Sequence, residues 1–266
     1  SAASDVDKRQ DQYKLLNDDY RMLIRSNSKD EPKVGIVTAG GSGHLPLFLG
    51  YVGENMLDGC AVGNVFASPS SSKMEELIRY CDSGKGVLCL YGNYGGDNLN
   101  FEMATEMVEF DDIETIQIRV KDDIASASED KKDTRRGVAG IVYAYKIAGA
   151  AANRGYDLEE VAEITNRALD NIRTMGVALS ATVVPEVGEA TFSINEDEIE
   201  IGMGIHGESG IEVRKMISAD EIAEVLVEKI LTEINLSEND EVSVLINGLG
   251  ATPLDEQYIV YNKVYD

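Results

Sequence analysis

Short apolar runs rich in Val, Ile and Leu recur through the first half of the chain. Between them lie segments whose apolar residues repeat every three or four positions. The runs are typical of buried strands and the segments of helices that cover them, so their alternation predicts a parallel sheet with helices on both sides. The predicted strands are Val34–Thr38, Ala61–Val65, Gly86–Tyr91 and Ile113–Val120, and the predicted helices are Ser70–Ser83 and Asn98–Phe110.

The middle of the chain combines a charged stretch with two helical patterns. Lys121–Arg136 is rich in Asp, Glu and Lys and predicts a solvated loop. Val138–Arg154 consists mostly of small residues, which is the composition of a helix packed closely in the core. Gly155 ends this helix, and Asp157 is the predicted N-cap of a second helix that reaches about Asn171.

Beyond residue 176 the pattern changes to shorter strands and turns. We therefore place the domain boundary within 176–190. Residues 1–180 are predicted to form a first α/β domain with a mainly parallel sheet, and residues 181–266 a second α/β domain with a mixed sheet. The predicted elements of this part are the strands Ala178–Val184, Ala190–Ile194, Ile199–Met203 and Glu241–Asn247, the last one buried, and the helices Ala219–Ile234, capped by Ser218, and Leu254–Tyr265.

Composition narrows the class of protein. The chain has 266 residues, and 43% of them are hydrophobic, which is enough for a core and excludes wholesale disorder. Lys and Arg number 24 against 48 Asp and Glu, and the net charge of −24 disfavours direct binding of nucleic acid or anionic membranes. No apolar run approaches the roughly 18 residues that span a bilayer, and no signal-peptide pattern opens the chain. We expect a cytoplasmic protein.

The cysteines and histidines give no sign of a metal or disulfide framework. The three cysteines, Cys60, Cys81 and Cys89, are odd in number and lack CxxC spacing. We expect reduced thiols, two of them in the core strands. The chain has only two histidines, so a structural zinc site is disfavoured and no metal is expected.

Three turns that follow predicted strands are candidates for ligand contacts. Gly40–His44 offers free backbone N–H groups at a strand end, although such a turn is often only a tight connection, and it matches neither the P-loop nor GxGxxG. Phe66–Pro69 contains Ser68, for which an ordinary helix cap is the alternative. Asn93–Asn98 contains Asp97, which also fits a capping carboxylate.

A fourth segment, Gly202–Glu208, carries the strongest single indication of function. His206 follows a predicted strand, and the glycines that flank it would pack it poorly, unlike a core histidine. Imidazole can act as nucleophile, base or ligand near neutral pH. A histidine on a surface turn is the alternative reading of this segment.

Taken together, these segments resemble one family. The motifs occur in the order found in the dihydroxyacetone-binding subunit of dihydroxyacetone kinases, from about Val34 to the end of the chain. They are Gly-Gly-Ser-Gly-His-x-Pro, Phe-x-Ser-Pro, Asn-Tyr-x-Gly-Asp-x-x-Asn-Phe, Arg-Arg-Gly-Val-Ala-Gly, Met-Gly-Val-Ala-Leu, Gly-x-Gly-Ile-His-Gly-Glu and Asn-Gly-Leu-Gly-Ala-Thr-Pro-Leu.

The resemblance implies a role for each matching residue. His206 would add through a ring nitrogen to the C2 carbonyl of dihydroxyacetone and form a covalent hemiaminal. His44 would handle protons at a substrate hydroxyl, and Asp97 would bind and help to deprotonate the terminal hydroxyl. The implied catalytic residues are His206, His44 and Asp97, and the implied substrate-binding residues are Gly41, Ser42, Gly43, His44, Ser68, Gly92, Asp97 and His206.

Three positions depart from the family pattern. Leu45 stands where the family has Glu, Gly92 where it has Lys, and Thr134 where it has Gly. Losing a cation and a carboxylate beside the pocket should spare triose binding and impair phosphoryl transfer, in which positioned charge dominates. This favours a relative of the kinases, a dihydroxyacetone-sensing coactivator that partners a TetR-type transcription factor. The alternatives are the substrate-binding subunit of a phosphotransferase-type dihydroxyacetone kinase, whose partner is a nucleotide-binding subunit, and a scaffold with a decayed site.

The resemblance also implies an architecture of two α/β domains, a homodimer, and a triose held near the carboxyl edge of the sheet. No cofactor is expected on this chain, because nucleotide and Mg²⁺ would belong to the partner subunit of a kinase. Family members carry a helix before the region that matches Tyr13 and a segment after Tyr265, so we expect the C-terminal domain to be incomplete.

Overall fold

The computed structural model describes residues 12–27, 32–184, 188–190, 192–249 and 251–266. Its contacts divide the chain into two compact units. The first contains the residues up to Val120 together with Gly140–Asp170, and the second contains Lys121–Ala139 and Asn171–Asp266. The prediction has a single boundary at residue 180. In the structure the chain crosses between the units three times, after Val120, after Ala139 and after Asp170.

The first unit is built on a six-stranded sheet with the order β1-β2-β4-β3-β5-β6. The pairs β4–β3, β3–β5 and β5–β6 are parallel, and β1–β2 and β2–β4 are antiparallel. The α/β class and the mainly parallel sheet of the prediction are confirmed. The strands are β1 (Tyr13–Leu15), β2 (Met22–Arg25), β3 (Gly35–Ser42), β4 (Gly59–Val65), β5 (Val87–Gly92) and β6 (Thr115–Val120).

Helices cover both faces of this sheet, as the alternating pattern predicts. Neighbouring residues of β5 point to opposite faces: Leu88 lies in a core with the last two helices of the unit, and Cys89 in a core with the first two. Cys60, Cys81 and Cys89 are all free and buried, and burial raises the pKa of the Cys60 and Cys89 thiols. The helices are α1 (Ser71–Cys81), α2 (Gly95–Glu109), α3 (Ile141–Asn153) and α4 (Leu158–Leu169), with short 3-10 turns at Leu16–Asp18 and Leu49–Tyr51.

The sequence signals for α3 and α4 act as predicted. Asp157 accepts a hydrogen bond from the backbone of Glu160, whose side chain accepts one from the backbone of Asp157, and this capping box begins α4. The small residues of α3 let it approach its neighbours closely. A Cβ at Gly149 would lie 2.5 Å from the carbonyl oxygen of Met56, so the helix contacts that backbone directly.

The second unit contains a small sheet and two helices. Its three strands have the order β7-β8-β9, and both pairings are antiparallel, where the pattern predicted a mixed sheet. Ile199 and Ile201 pack with Met175 in its core. The elements are β7 (Val177–Ala178), β8 (Glu198–Ile201), β9 (Glu212–Lys215), α5 (Ala219–Leu231), α6 (Leu254–Tyr265) and a 3-10 turn at Glu129–Thr134.

Three predicted strands of this unit are wrong or shortened. Glu241–Asn247 is irregular and mostly exposed, because no described strand pairs with it and an apolar pattern alone supplies no hydrogen-bond partner. Ala178–Val184 keeps only its first residue within β7, and Val183 forms an isolated bridge with Ala190. The predicted Ala190–Ile194 is not a strand in its described residues, and position 191 lies outside them.

The prediction of a solvated loop over Lys121–Arg136 is wrong at its two ends. Asp122, Asp123 and Arg135 are at most 3% exposed. Their charges are paired: both terminal nitrogens of Arg135 donate to Glu233 at 2.6 Å, and Asp122 accepts from the backbone of Val138. Charged side chains can be buried when they are paired in this way. These partners lie outside the local sequence window, so the pattern of the stretch does not reveal the pairing.

None of the helices in the described part of the chain combines the length and apolar character needed to cross a bilayer.

Replacing Gly149 by Ala tests the close contact of α3. Alanine normally stabilises a helix interior by about 1 kcal/mol over glycine. Here the added methyl group would overlap the Met56 backbone, and we expect a loss of about 1–3 kcal/mol in the free energy of unfolding, measured by urea denaturation. Gly95→Ala is the control, since a Cβ there meets nothing within 4 Å. A Gly149→Ala protein as stable as the wild type would contradict the packing described.

Candidate functional site

Three of the four candidate segments meet at one edge of the first sheet. Strands β4, β3 and β5 are neighbours and run parallel, so their carboxyl ends lie side by side. His44 follows β3, Ser68 follows β4, and Asp97 follows β5. In open α/β sheets, ligands bind beyond the carboxyl ends of the strands. The first unit therefore brings these three side chains to the edge where a ligand site is expected.

Two glycines make the turn after β3 possible. A Cβ at Gly40 would lie 2.0 Å from the ring of Phe48, and one at Gly41 would lie 2.8 Å from the backbone of Phe66 and Ala67. Gly41 therefore allows the segment after β4 to cross directly over the end of β3, and Gly40 leaves room for the ring of Phe48. The pairing of the two strands shifts register between Gly40 and Ser42 at the same point.

The crossing segment fixes the ring of His44. The imidazole stacks on Phe66, with ring centroids 4.8 Å apart and planes inclined by 19°, and it meets the edge of Phe48 at 6.0 Å. It is half-buried, while the side chain that follows, Leu45, is 56% exposed. Contacts with two aromatic rings therefore orient His44. The family pattern has a carboxylate at position 45, and Leu45 supplies none.

Ser68 lies against the first turn of α2, which carries Asp97. A Cβ at Gly96 would lie 3.2 Å from the Cβ of Ser68, and Asn100 of the same helix donates to the Ser68 hydroxyl at 3.3 Å and to the Pro69 carbonyl at 2.8 Å. Asp97 is 7% exposed and sits at the positive end of the helix dipole, which stabilises its negative charge. Ser68 and the Asp97 turn form one packed unit.

Gly92 is the buried last residue of β5. It pairs with Val120 of β6, and its carbonyl accepts a hydrogen bond from the backbone of Tyr94 at 2.9 Å. Gly92 therefore lies at the same carboxyl edge, at the start of the turn that leads to Asp97.

His206 belongs to the second unit, in the loop that joins β8 to β9. The loop is closed by hydrogen bonds from the backbone of Gly204 to the carbonyl of Glu208, at 2.9 Å, and from Gly207 to the carbonyl of Gly204. Gly207 has a φ of +87°, a conformation that glycine adopts without strain. The predicted position of His206, after a strand and between glycines, is confirmed.

Glu208 orients the imidazole of His206. One carboxylate oxygen lies 2.9 Å from Nδ1 of the ring, and the other accepts the backbone N–H of His206, also at 2.9 Å. Burial acts to raise the pKa of the Glu208 carboxyl, but these hydrogen bonds from His206 outweigh it and lower the pKa to about 2. An ionised carboxylate only accepts hydrogen bonds, so the contact places a proton on Nδ1, and in the neutral ring the lone pair is then on Nε2.

Glu208 was missed as a functional residue by sequence reasoning. It stands in the Gly-Ile-His-Gly-Glu motif, and the His-x-Glu spacing was the available signal, but only the folded loop turns the carboxylate back onto the ring. No group of three or more His, Cys, Asp or Glu side chains among the described residues is arranged to hold a metal ion.

The fold and these turns define an α/β protein with polar side chains at the carboxyl edge of a parallel sheet and an oriented histidine in a second unit. A family model for the Dak1 domain matches residues 5–266. The chain belongs to the Dak1 domain family.

The similar proteins include kinase subunits and a coactivator. The dihydroxyacetone-binding subunit DhaK of PTS-dependent dihydroxyacetone kinase 1 from Listeria innocua is 46% identical over 244 residues, which cover 92% of this chain and 74% of that protein. Among solved structures, the dihydroxyacetone kinase operon co-activator Dha-DhaQ matches with a TM-score of 0.91 at 33% identity, covering 99% of this chain and 81% of that one. The native dihydroxyacetone kinase of C. freundii matches with a TM-score of 0.89 at 32% identity, covering 98% and 49%.

The low pKa of Glu208 predicts a pH-dependent contribution to stability. Its folded-state pKa of about 2 is below the ordinary 4.5, so the ionised carboxylate stabilises the fold above about pH 4.5 and the effect is lost as the pH falls towards 2. We expect Glu208→Gln to lower the urea midpoint at neutral pH, and the difference from wild type to shrink across that window. Glu228→Gln, which neutralises an exposed glutamate of α5, is the control. A difference that stays constant down to pH 2 would contradict the assignment.

Proposed function

We propose that this chain captures dihydroxyacetone as a covalent hemiaminal on His206. The observation that carries the proposal is the contact of 2.9 Å between Glu208 and Nδ1 of His206, because a carboxylate at Nδ1 favours the tautomer whose lone pair is on Nε2, the nucleophilic nitrogen. The similarity to a subunit named for dihydroxyacetone binding supports the choice of ligand. A ketone can form this adduct and glycerol cannot, so covalent capture would select the triose without a large pocket.

The bond-forming step follows from the protonation state of the ring. The Nε2 lone pair of His206 forms a bond to C2, the π electrons of the carbonyl move to its oxygen, and that oxygen takes a proton from solvent water, which leaves hydroxide in the solvent. The ring keeps its Nδ1 proton and becomes a cation, which faces the ionised carboxylate of Glu208. Breakdown reverses these movements, so the adduct is reversible.

The family pattern also assigns triose contacts to groups at the carboxyl edge of the first unit, and we include them in the proposal. His44 would exchange protons with a substrate hydroxyl, and Asp97 would accept a hydrogen bond from the terminal hydroxyl. Backbone groups of Gly41, Ser42, Gly43 and Gly92 and the hydroxyl of Ser68 would offer further polar contacts to the triose.

We further propose that the captured ketose is sensed and not phosphorylated, with this chain acting as a coactivator of a TetR-type transcription factor. Two features support this role. Leu45 and Gly92 replace a carboxylate and a cation of the family pattern beside residues that are otherwise retained, and phosphoryl transfer depends on positioned charge. The similarity to the co-activator Dha-DhaQ over 99% of the chain agrees with it.

The second candidate is the substrate-binding subunit of a dihydroxyacetone kinase. The identity of 46% to the Listeria innocua kinase subunit favours it. In that case a nucleotide-binding subunit would be the partner and would bring the nucleotide and Mg²⁺, with no cofactor on this chain. A homodimer and a cytoplasmic location are part of the proposal in both cases.

The adduct can be tested by native mass spectrometry with dihydroxyacetone. We expect the wild-type mass to increase by one whole dihydroxyacetone, without loss of water, and to return on dilution. His206→Gln should abolish the increase and keep the wild-type circular dichroism, since the backbone N–H of residue 206 can still donate to Glu208. Glycerol is the control ligand. An increase of equal size in His206→Gln would place the adduct elsewhere.

Phosphate transfer separates the two roles. With a nucleotide-binding kinase subunit and its phosphate donor, we expect the wild type to turn over dihydroxyacetone poorly while still forming the adduct. Leu45→Glu combined with Gly92→Lys should raise turnover, because it restores both charges, and Leu45→Gln is the uncharged control. Wild-type turnover equal to that of the Listeria innocua kinase subunit would reject the coactivator role and leave ketose capture intact.

A further inference from the structure

Arg136 lies between two carboxylates of the second unit. Its Nε donates to Oδ2 of Asp123 at 2.9 Å, and its Nη2 donates to the Gly202 carbonyl at 3.1 Å and lies 2.8 Å from the same Asp123 oxygen. Its Nη1 lies 3.9 Å from Oε2 of Glu208. Asp123 and the loop carbonyl fix the plane of the guanidinium, and the remaining nitrogen faces the carboxylate that orients His206.

Gly204 makes this approach possible. A Cβ at position 204 would lie 2.2 Å from Oε2 of Glu208 and 2.3 Å from Nη1 of Arg136. The backbone of Gly204 does not have the positive φ of its neighbours Gly202 and Gly207. The glycine is therefore required here by space: its missing side chain leaves the volume in which the two charged groups face each other.

Asp123 anchors the arrangement. Its side chain is 4% exposed, and Oδ1 accepts the backbone N–H of Ala125 at 3.1 Å. Burial raises the pKa of the Asp123 carboxyl, and the charge of Arg136 acts in the opposite direction. A buried carboxylate that depends on one guanidinium holds that guanidinium in place, since separating the pair would leave a charge without compensation.

Charges alternate from the interior to the nucleophile: Asp123, Arg136, Glu208 and then the ring of His206. Glu208 lies on a loop, and its side chain is 34% exposed, so its own contacts with His206 leave it in reach of solvent. An attraction to a fixed guanidinium restricts the carboxylate to the position in which both oxygens contact His206.

We propose that Arg136, anchored by Asp123, is a positioning residue for ketose capture, which acts through Glu208 to keep the proton of His206 on Nδ1 and the lone pair on Nε2. This inference rests on the proposed function of His206 as the nucleophile. The two arginines of the Arg-Arg-Gly motif then have separate roles. Arg135 binds Glu233, and Arg136 contacts the loop that carries His206.

The first readout is the tautomer of His206 in the absence of ligand, measured by ¹⁵N NMR of the imidazole rings. The chain has two histidines, so comparison with His206→Gln assigns the signals. We expect the Nδ1-protonated form in the wild type and a mixture of tautomers in Arg136→Met. Arg136→Lys keeps the charge without the planar fork and should fall between them. Arg214→Met, which removes a cation of β9 paired with Glu212, is the matched control and should retain the wild-type tautomer.

The second readout is the dissociation constant for dihydroxyacetone. We expect Arg136→Met to weaken binding between about 10-fold and 100-fold, the range typical of a lost supporting group. In a Glu208→Gln background the same substitution should have little further effect, because Arg136 acts through that carboxylate. Gly204→Ala, which separates the two groups without changing a charge, should weaken binding in the same direction and provides an independent test if Arg136→Met folds poorly.

The outcomes distinguish the inference from the proposed function. A wild-type protein that forms no adduct would reject His206 as the nucleophile, while the tautomer measurement would still test the role of Arg136. A folded Arg136→Met protein with the wild-type tautomer and affinity would overturn the positioning role. Full additivity of Arg136→Met and Glu208→Gln would also overturn it, since the two residues would then act independently.

Discussion

The close crossing of two backbone segments at the carboxyl edge of the first sheet is the constraint on which the site depends. The segment that follows β4 passes over the end of β3, and side chains at Gly41 and Gly63 would collide with it. This crossing brings Phe66 under the ring of His44 and places Ser68 against the turn that carries Asp97. Any side chain at either glycine would push the crossing segment away and separate these groups.

The parts of the fold with a strong local pattern could be predicted from the sequence. The parallel strands β3 and β5 are buried apolar runs, β6 is a partly buried strand in which polar and apolar residues alternate, and α4 begins at a capping box that the residues Asp157 and Glu160 specify by themselves. The short strands β1 and β2 were not predicted, because only three or four residues of each pair in the sheet. Glu241–Asn247 shows the opposite error: its pattern is that of a strand, but a strand also requires a partner backbone.

The candidate site also has a part that the sequence predicts and a part that it does not. Turns that follow predicted strands identify His44, Ser68, Asp97 and His206 as candidates. Each of these turns can be recognised from a short stretch of sequence. The charged residues that support His206 from distant parts of the chain cannot be identified in this way. Arg136 reaches Gly202 and Glu208 from more than sixty positions away along the chain, and in the sequence it stands in what looks like a solvated charged stretch. Only the folded second unit shows that this stretch is partly buried and that its charges are paired.

The central claim is that the ketone carbon becomes bonded to a ring nitrogen of His206. It is tested most directly by the ¹³C NMR spectrum of dihydroxyacetone labelled at C2, bound to protein whose histidines carry ¹⁵N. The account predicts that the ketone resonance is replaced by that of a tetrahedral carbon coupled to one imidazole nitrogen, and that this nitrogen is Nε2 of His206. A bound ligand that keeps its ketone resonance, or a tetrahedral carbon without coupling to nitrogen, would contradict it.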